Sequence, residues 1–355
     1  MNSVERLKAK YHNFELYNAG LPGFPRNFPR DSILSAMLMN NTEMLKNQLL
    51  FCELRQGSHN IAFNGEEKGK IFHEYPAIGF KGLSTEFNAC DTTALYLIGH
   101  EFYKEQTGDK SLAGIKRRSI ESATKYILSH LKDYAFIEDP KFCGAEKFAL
   151  NVTYWKDSDI VSRKQGQPIY PVIYTLAHIQ NMKGLRAAAK LLESKNLEEI
   201  AEKMSEKLKD LYDPKTGIFY LAIDKEGPIS AISSDLLHSL FYLEPKDISQ
   251  ENLNKIVEVS KILETPVGYR ALSPEKKSEI KENYHSSTVW PFEQAIIHAG
   301  AKKFGLKRPQ EITQRVMKFL DTDPEIFEIQ EEIKKGNNDP QLWTIAAKKY
   351  FNSLK

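Results

Sequence analysis

The chain is poor in cysteine and in metal-binding sequence patterns. Its 355 residues include three cysteines, Cys52, Cys90 and Cys143, and contain no Cys-x-x-Cys or His-x-His spacing. An odd and sparse set of cysteines argues against a disulfide framework and predicts reduced thiols in a cytoplasmic protein. The absence of these two spacings argues against a metal site, and no cofactor is expected.

Charge and hydropathy exclude two classes of partner. The formal net charge is +2 without a basic stripe, which argues against nucleic acid. The apolar runs fall short of the about 18 residues of a membrane span, and the N-terminus lacks the apolar core of a signal peptide. No linker rich in Pro, Gly or Ser divides the chain, so residues 1–355 are expected to form one domain. The sequence does not indicate the oligomeric state.

Apolar residues recur at helical spacing along most of the chain, most clearly in "NLEEIAEKMSEKLKDLY" (196–212). Asp91-Thr92-Thr93 has the composition of a helix N-cap, and Gly184 is a point where a predicted helix is expected to break. Twelve helices are predicted, at 3–10, 31–40, 42–56, 89–106, 117–132, 170–193, 196–213, 231–242, 250–263, 289–304, 308–320 and 340–352.

Long and short connections alternate between these helices. The long ones are 11–30, 57–88, 133–169, 214–230, 264–288 and 321–339. This alternation predicts six helix pairs, that is an all-α fold of (α/α)6 barrel type, with short β-hairpins such as 216–224 in the long loops. Since the inner helices of such a ring all run in one direction, the long loops meet at one rim, where long loops usually carry function.

All three tryptophans fall at this predicted rim. Trp155, Trp290 and Trp343 each lie in a long loop or in the first turn of the helix that follows it. Their grouping predicts flat apolar surfaces on which the C–H faces of a sugar can stack, and packing at the rim is the structural alternative.

Carboxylates occur in two of the same loops. Asp157 lies in "NVTYWKDSDI", beside Trp155 and Lys156, and Glu325 and Glu328 lie in "DTDPEIFEI". Two carboxyl groups that face one cavity can hydrolyse a glycosidic bond, one as the acid and the other as the base or nucleophile. An aromatic pocket raises the pKa of a carboxyl group, which suits the acid. Taken alone, each of these acids is more often a solvated loop residue.

Further polar side chains fall at the same rim, and they are candidates for binding the sugar hydroxyls. A guanidinium and a carboxylate, such as those of Arg30 and Asp31, can hold adjacent hydroxyls in a fixed register. Each histidine taken singly is more often a structural residue held by hydrogen bonds. The candidates for substrate binding are Arg30, Asp31, His73, Glu74, Trp155, Lys156, Arg270, Tyr284, His285 and Trp290.

An ordered set of stretches resembles the amylo-α-1,6-glucosidase region of glycogen debranching enzymes and their bacterial relatives. The resemblance implies an (α/α)6 barrel related to glucoamylase-type and trehalase-type glycosidases. The stretches run from residue 20 to residue 345, and they are "GLPGFPRNFPRDS", "LRQG", "GKIFHEYP", "ACDTTALYLIGHEFYKEQTGD", "YWKDSD", "GYRALS", "YHSSTVWPFEQAIIHAGAKKFGL", "PEIF" and "PQLW".

The resemblance implies roles for individual residues. The aspartate of the family's WKDS-like stretch, its general acid, corresponds to Asp157, and the glutamate of its PELF-like stretch, its general base, corresponds to Glu325. Glu328 is the reserve candidate for the base. The family's RDS element, which holds the non-reducing sugar in related barrels, corresponds to Arg30 and Asp31. Related barrels invert the anomeric centre, so a water molecule is expected between Glu325 and the sugar.

The leading hypothesis is therefore an inverting, exo-acting glycoside hydrolase that acts on α-glucosidic linkages. A branched glucan, a short oligosaccharide and a small glucoside or mannoside all remain open as substrates. Two alternatives are a carbohydrate-binding barrel without catalysis and a sugar epimerase, in which His73 and His285 would transfer protons.

Overall fold

The structure is a computed structural model that describes residues 3–158, 168–277, 280 and 282–354. Residues 159–167 of the predicted long loop 133–169 thus lie outside the described part. Among the described residues, no helix has the length and hydropathy needed to cross a membrane. The helices are α1 (Ser3–Leu7), α2 (Pro29–Leu38), α3 (Thr42–Leu54), α4 (Thr92–Thr107), α5 (Ser111–Ile115), α6 (Arg117–Ser129), α7 (Thr175–Leu192), α8 (Lys195–Lys207), α9 (Asp235–His238), α10 (Gln250–Val259), α11 (Pro274–Lys277), α12 (Pro291–Lys303), α13 (Lys307–Gln314) and α14 (Leu342–Asn352).

Six of the described helices form a closed inner ring. Helix α2 packs against α4, α4 against α7, α7 against α9, α9 against α12, α12 against α14, and α14 returns to α2. These helices have neighbours on all sides, and almost every residue of α2 and α7 is buried. A helix that is buried all round belongs to the centre of a large core, which is the position these helices occupy.

A second set of helices packs outside this ring. Helix α3 lies against α2 and α4, α6 against α4 and α7, α8 against α7, α10 against α9, α13 against α12, and α1 against α14. The outer helices bury one face only: α8 buries Leu197, Ala201 and Met204, which recur at i, i+4 and i+7. Paired inner and outer helices around one ring confirm the predicted (α/α)6 fold.

Several predicted elements differ from the structure. The predicted helix 3–10 ends at Leu7, and Lys8–Tyr11 forms a strand instead. The predicted helix 231–242 is helical only from Asp235, and it turns into a 3-10 helix at Ser239–Phe241. Helix α7 does not break at Gly184, because this glycine is a contact point: a Cβ there would lie 3.0 Å from the Cα and Cβ atoms of Ala94 in α4. The glycine thus lets two inner helices approach closely.

The described strands are short, antiparallel and confined to the loops. The hairpin predicted at 216–224 lies further along the chain, since only its last three residues are a strand, and that strand pairs with the segments before and after it. The strands are β1 (Lys8–Tyr11), β2 (Phe14–Tyr17), β3 (Gly79–Phe80), β4 (Leu83–Ser84), β5 (Leu131–Lys132), β6 (Ala135–Phe136), β7 (Ile173–Tyr174), β8 (Ala222–Asp224), β9 (Gly227–Ile229), β10 (Thr288–Val289), β11 (Phe327–Ile329) and β12 (Ile333–Lys335).

The starts of the inner helices place side chains at the rim. Helices α2 and α12 both begin with proline at the first position, after the extended residues Phe28 and Trp290. Proline suits this position because its fixed φ matches the helix and its missing N–H would have no helical partner there. The long loop before each helix therefore stops at a defined residue, and the side chains of the first turn keep a defined direction.

Candidate active site

One cavity opens at the rim where the long loops meet. The space between its walls, together with the part that is open to solvent, amounts to about 410 Å³. Five of the six long loops, or the helix starts that follow them, contribute to its described lining. The lining residues are Ala19, Phe24, Phe28, Arg30, Asp31, His73, Trp155, Asp157, Tyr284, His285, Trp290, Glu325, Gln341 and Trp343. Nine residues predicted from the sequence as catalytic or sugar-binding are therefore brought together, in addition to Trp343.

The three tryptophans form one connected aromatic wall. The ring centroids of Trp155 and Trp290 lie 5.7 Å apart, those of Trp290 and Trp343 lie 5.5 Å apart, and both pairs meet edge to face. Trp343 also stacks on Phe292 at 3.9 Å, and Trp290 stacks on His285 at 5.0 Å. Aromatic pairs of this geometry add packing energy to the burial of the rings. The tryptophans thus line the cavity and at the same time hold its wall in place.

Asp157 lines the cavity, and the residue as a whole is partly buried. Burial raises the pKa of Asp157 to about 7, because it removes water from the charged form, and the nearby Arg30 guanidinium opposes this effect in part. A carboxyl group with this pKa still carries its proton in a large fraction of molecules near neutral pH, as a general acid must.

Glu325 lies in the same cavity but in a different environment. Tyr284 Oη donates a hydrogen bond to Glu325 Oε1 at 2.6 Å, and Asn338 Nδ2 donates to Oε2 at 2.7 Å. Gln341 Nε2 donates a longer bond to Oε1 at 3.4 Å. Burial raises the pKa of Glu325, whereas the bonds from Tyr284 and Asn338 lower it because they favour the carboxylate. Burial has the larger effect, so the pKa of Glu325 lies above its ordinary value, and the two bonds keep this increase smaller than burial alone would make it.

Arg30 and Asp31 both line the cavity, but they are not each other's hydrogen-bonding partners. The Arg30 guanidinium binds the carboxylate of Asp91 from two sides, with Nε 3.0 Å from Oδ2 and Nη2 2.9 Å from Oδ1. The sequence predicts that Asp91 caps α4. In the structure, its side chain binds Arg30 and makes no capping hydrogen bond. Burial raises the pKa of Asp31 to about 8, with Arg30 lowering it and the Glu325 carboxylate raising it.

The two predicted histidines also line the cavity, and both are neutral at neutral pH. Burial holds the pKa values of His73 and His285 well below the usual value, and the positive charge of Arg30 adds to this at both rings. His285 Nδ1 lies 3.0 Å from Ser158 Oγ, and His73 packs edge-on against Phe28 at 5.2 Å. A neutral imidazole offers one donor and one acceptor, which suits a sugar hydroxyl.

Other residues predicted at the rim lie outside the cavity lining. The Glu74 carboxylate accepts hydrogen bonds from Arg26 and from the hydroxyl of Thr85. Arg270 is half-buried, and burial lowers its pKa. Glu328, the reserve candidate for the base, lies in β11 and also does not line the cavity.

Lys156 is the remaining predicted substrate contact outside the lining. Its side chain is fully buried, and its ammonium donates to Ser233 Oγ at 2.8 Å, to Ser234 Oγ at 2.7 Å and to the Ala271 carbonyl at 3.1 Å. The structure therefore gives this lysine a set of protein partners in place of the predicted sugar.

The same lysine contacts a group of residues with metal-binding side chains. One ligand atom each from Asp235, His238 and Glu293 lie within 4.8 Å of one another. The Lys156 ammonium is 3.0 Å from an oxygen of Asp235 and 3.8 Å from an oxygen of Glu293. The positive charge that these carboxylates need is thus supplied by a side chain of the protein.

The model of the amylo-α-1,6-glucosidase family matches residues 75–347 of this chain. The chain belongs to this family. It is a glycoside hydrolase. The match begins after Arg30 and Asp31, so their place in the site follows from the structure. A comparison with curated proteins gives no match.

Glycoside hydrolases are among the solved structures that share this fold. A GH63 mannosylglycerate hydrolase from Thermus thermophilus, in complex with Tris and D-glycerate, has a TM-score of 0.74 at 10% identity, and the alignment covers 99% of this chain and 98% of that one. The same enzyme in complex with glucose has a TM-score of 0.73 at 11% identity, with coverage of 99% and 98%. A GH78 rhamnosidase from Bacillus sp. GL1 has a TM-score of 0.62 at 15% identity, and the alignment covers 93% of this chain and 32% of that one.

Sequence reasoning within the family missed several residues of the site. Asp91 and Gln341 belong to the stretches "ACDTTALY" and "PQLW", which carry the resemblance, so these stretches held the signal without indicating a role. The cavity residues Phe24 and Phe28 likewise belong to the stretch "GLPGFPRNFPRDS". Asn338, which binds Glu325, has no comparable signal, since its role depends on loops that meet only in the folded chain.

Proposed function

We propose that this enzyme is an inverting, exo-acting hydrolase of α-glucosidic linkages, with Asp157 as the general acid and Glu325 as the general base. The observation that carries the proposal is the presence of these two carboxyl groups in one cavity, in contrasting environments. Burial raises the pKa of both groups, that of Asp157 to about 7, and at Glu325 the hydrogen bonds from Tyr284 and Asn338 oppose this increase because they favour the carboxylate. A difference in environment between two carboxyl groups is the usual basis for assigning acid and base.

The proposed reaction needs one proton transfer at each carboxyl group. Protonated Asp157 donates to the glycosidic oxygen while the bond from this oxygen to the anomeric carbon breaks. Glu325 accepts a proton from a water molecule that attacks the anomeric carbon from the opposite face, and the product has the inverted configuration. The cycle closes when Asp157 regains a proton from solvent and Glu325 releases one.

The walls of the cavity support action on a terminal sugar. Its described lining combines aromatic rings with a few polar groups, as sites for small ligands usually do. Arg30, which is bound by Asp91, and Asp31 lie in the first turn of α2 and can bind neighbouring hydroxyls of the sugar ring. The neutral imidazoles of His73 and His285 offer further donors and acceptors.

The substrate we propose is an α-glycoside with a small aglycone. The family name refers to the α-1,6-glucosidic linkage, and this linkage belongs among the candidates. The similar structures from Thermus thermophilus are those of a mannosylglycerate hydrolase, in complex with glucose in one case and with Tris and D-glycerate in another. This favours a small α-glucoside or α-mannoside over a branched glucan.

The test is a screen of aryl α-glycosides, α-linked disaccharides and glycosylglycerates, with NMR detection of the first-formed anomer. We expect release of a monosaccharide in the β configuration from one class of α-glycoside. Release of the α-anomer would exclude inversion, and products longer than one sugar would exclude exo-action.

Asp157→Asn and Glu325→Gln should each lower kcat by about 10²–10⁴-fold while the protein stays folded. Glu328→Gln is the matched control and should keep its activity. Retained turnover in both Asp157→Asn and Glu325→Gln would exclude the proposed acid and base.

The same NMR assay addresses the epimerase alternative. His73 and His285 line the cavity together, as a proton-transferring pair would. Against this role, His285 is stacked on Trp290 and bonded to Ser158. We therefore expect free glucose and mannose to remain unchanged in deuterated buffer, and deuterium incorporation at C2 would contradict this.

A further inference from the structure

Lys156 precedes the proposed acid in the chain, yet its ammonium lies outside the cavity lining. The side chain is completely buried and reaches three groups on two other segments, Ser233 and Ser234 before α9 and the Ala271 carbonyl in the loop before α12. A lysine buried to this degree loses the hydration of its charge and persists only where partners replace the water. Lys156 therefore acts through the protein groups that its ammonium binds.

Three consecutive side chains of this loop end on a single carboxylate. Tyr154 Oη donates to Asp235 Oδ2 at 3.0 Å, Trp155 Nε1 donates to Oδ1 at 3.1 Å, and the Lys156 ammonium lies 3.0 Å from Oδ1. Asp235 itself is buried in the first turn of the inner helix α9. The backbone just before Asp157 is thus tied to a rigid element by three separate bonds.

A second inner helix holds the same ammonium. Glu293, in the first turn of α12, places Oε1 3.8 Å from the Lys156 nitrogen, and this oxygen also accepts a hydrogen bond from Ser234 Oγ at 2.8 Å. His238 Nδ1 lies 3.3 Å from the same oxygen. Two buried carboxylates next to an imidazole form a donor set of the kind that binds a divalent cation, and here a lysine supplies the positive charge.

We propose that Lys156 is a positioning residue for the general acid. Its ammonium, held by Asp235 and Glu293, fixes the segment 154–156 against α9 and α12, so that the Asp157 carboxyl group faces the oxygen of the scissile bond. The proposal rests on the proposed role of Asp157. Catalytic groups must be held within a fraction of an ångström, and a misplacement of about 1 Å can cost about 10²-fold in rate.

The test compares two leaving groups, because only a poor leaving group needs a proton from Asp157. The substrates are phenyl α-D-glucopyranoside and α-D-glucopyranosyl fluoride, or the matching mannosyl pair if the wild-type enzyme hydrolyses mannosides. We expect Lys156→Met to lower kcat on the phenyl glycoside by about 10²-fold, with KM nearly unchanged, and to lower kcat on the fluoride much less.

The control is Lys70→Met. Lys70 is also completely buried and also forms an ion pair at 3.0 Å, with Glu67, but it is not among the lining residues of the cavity, and its ammonium donates to Gly65 and Glu67. We expect this variant to lose thermal stability as Lys156→Met does, while the ratio of kcat on the two substrates stays at the wild-type value. Asp157→Asn is the reference for loss of the acid and should show the strongest dependence on the leaving group.

Three outcomes would overturn the proposal. These are an unchanged kcat in Lys156→Met, equal losses on both substrates, and a crystal structure of the variant in which residues 154–157 keep their positions. If Lys156→Met does not fold, Tyr154→Phe, which removes one of the three bonds to Asp235, should give a smaller loss with the same preference for the fluoride, and equal losses on both substrates would again overturn it. If Asp157→Asn shows no dependence on the leaving group, the assignment of the acid fails instead.

Discussion

The guanidinium of Arg30 is bound by the carboxylate of Asp91, a residue 61 positions along the chain, and not by its neighbour Asp31. Both partners are buried, with 5% and 0% of their side chains exposed. This pair joins the first turn of α2 to the residue before α4, and it therefore ties two neighbouring inner helices together at the rim of the cavity. The direction of the Arg30 side chain is therefore set by the protein.

Asp91→Asn should destabilise the protein more than its small change in shape suggests. The substitution leaves the Arg30 charge buried without its counter-ion, which costs about 3–5 kcal/mol in comparable buried pairs. We also expect KM for the glycoside to rise, since Arg30 loses its fixed direction. Urea unfolding and steady-state kinetics measure the two effects. A change in unfolding free energy below about 1 kcal/mol would show that the pair is not needed to hold Arg30.

Asp31→Asn should stabilise the protein, and only at higher pH. The pKa of Asp31 is raised from 3.8 to about 8 in the folded protein. Between these values the folded chain binds a proton that the unfolded chain has released, so stability falls as pH rises from about 4 to about 8 and then levels off. The variant lacks this loss, and urea unfolding should show a gain of about 1 kcal/mol or more at pH 8 and almost none at pH 4. An equal gain at both pH values would contradict the raised pKa.

The proposed roles of Asp157 and Glu325 predict a bell-shaped pH dependence of kcat/KM, with one limb from each group. Activity falls above about pH 7 as Asp157 loses its proton, since burial raises the pKa of this acid to about 7. It falls at low pH as Glu325 gains a proton. Tyr284→Phe removes a hydrogen bond that lowers the pKa of Glu325, so the acidic limb should move to higher pH while the alkaline limb stays in place. A shift of both limbs would argue against separate roles.

Gly184→Ala should destabilise the ring of inner helices, although alanine is the better helix former. The new Cβ would lie 3.0 Å from the Cα and Cβ atoms of Ala94, so α4 and α7 must separate. Overpacking of this kind costs about 1–3 kcal/mol. Gly114→Ala in α5 is the control: a Cβ there meets nothing within 4 Å, and we expect a gain of about 0.5–1 kcal/mol. Denaturant midpoints of the two variants should therefore move in opposite directions.

The sequence predicted the helix pairs and the shared rim correctly because both depend on local patterns. Apolar spacing along α8 identifies a helix with one buried face, and the alternation of long and short joints indicates which ends of the helices carry the loops. The prediction from sequence was less accurate for the short helix α9. This helix belongs to the inner ring and lacks an amphipathic pattern because all its residues are buried.

The roles of single polar residues were harder to predict. Glu74 and Lys156 are charged residues in rim loops, as sugar-binding residues often are. In the structure, Arg26 binds Glu74. Lys156 donates to Ser233 and Ser234. A charged side chain in a rim loop can face the cavity or the core, and a rotation of a few backbone angles decides between them. Sequence spacing carries no information on this choice.

The sequence by itself determined that the chain forms paired helices. It also determined that the tryptophans, Asp157 and Glu325 lie at one end of these pairs, in the long loops or in the helix starts that follow them. These features follow from periodicity and from the order of segments, which are properties of neighbours in the chain. Only the tertiary structure decided that Arg30 binds Asp91, that Tyr284 and Asn338 bind Glu325, and that Lys156 is held between α9 and α12. Closure of the ring brings these distant residues within hydrogen-bonding distance, and only then do burial and charge set which group holds a proton.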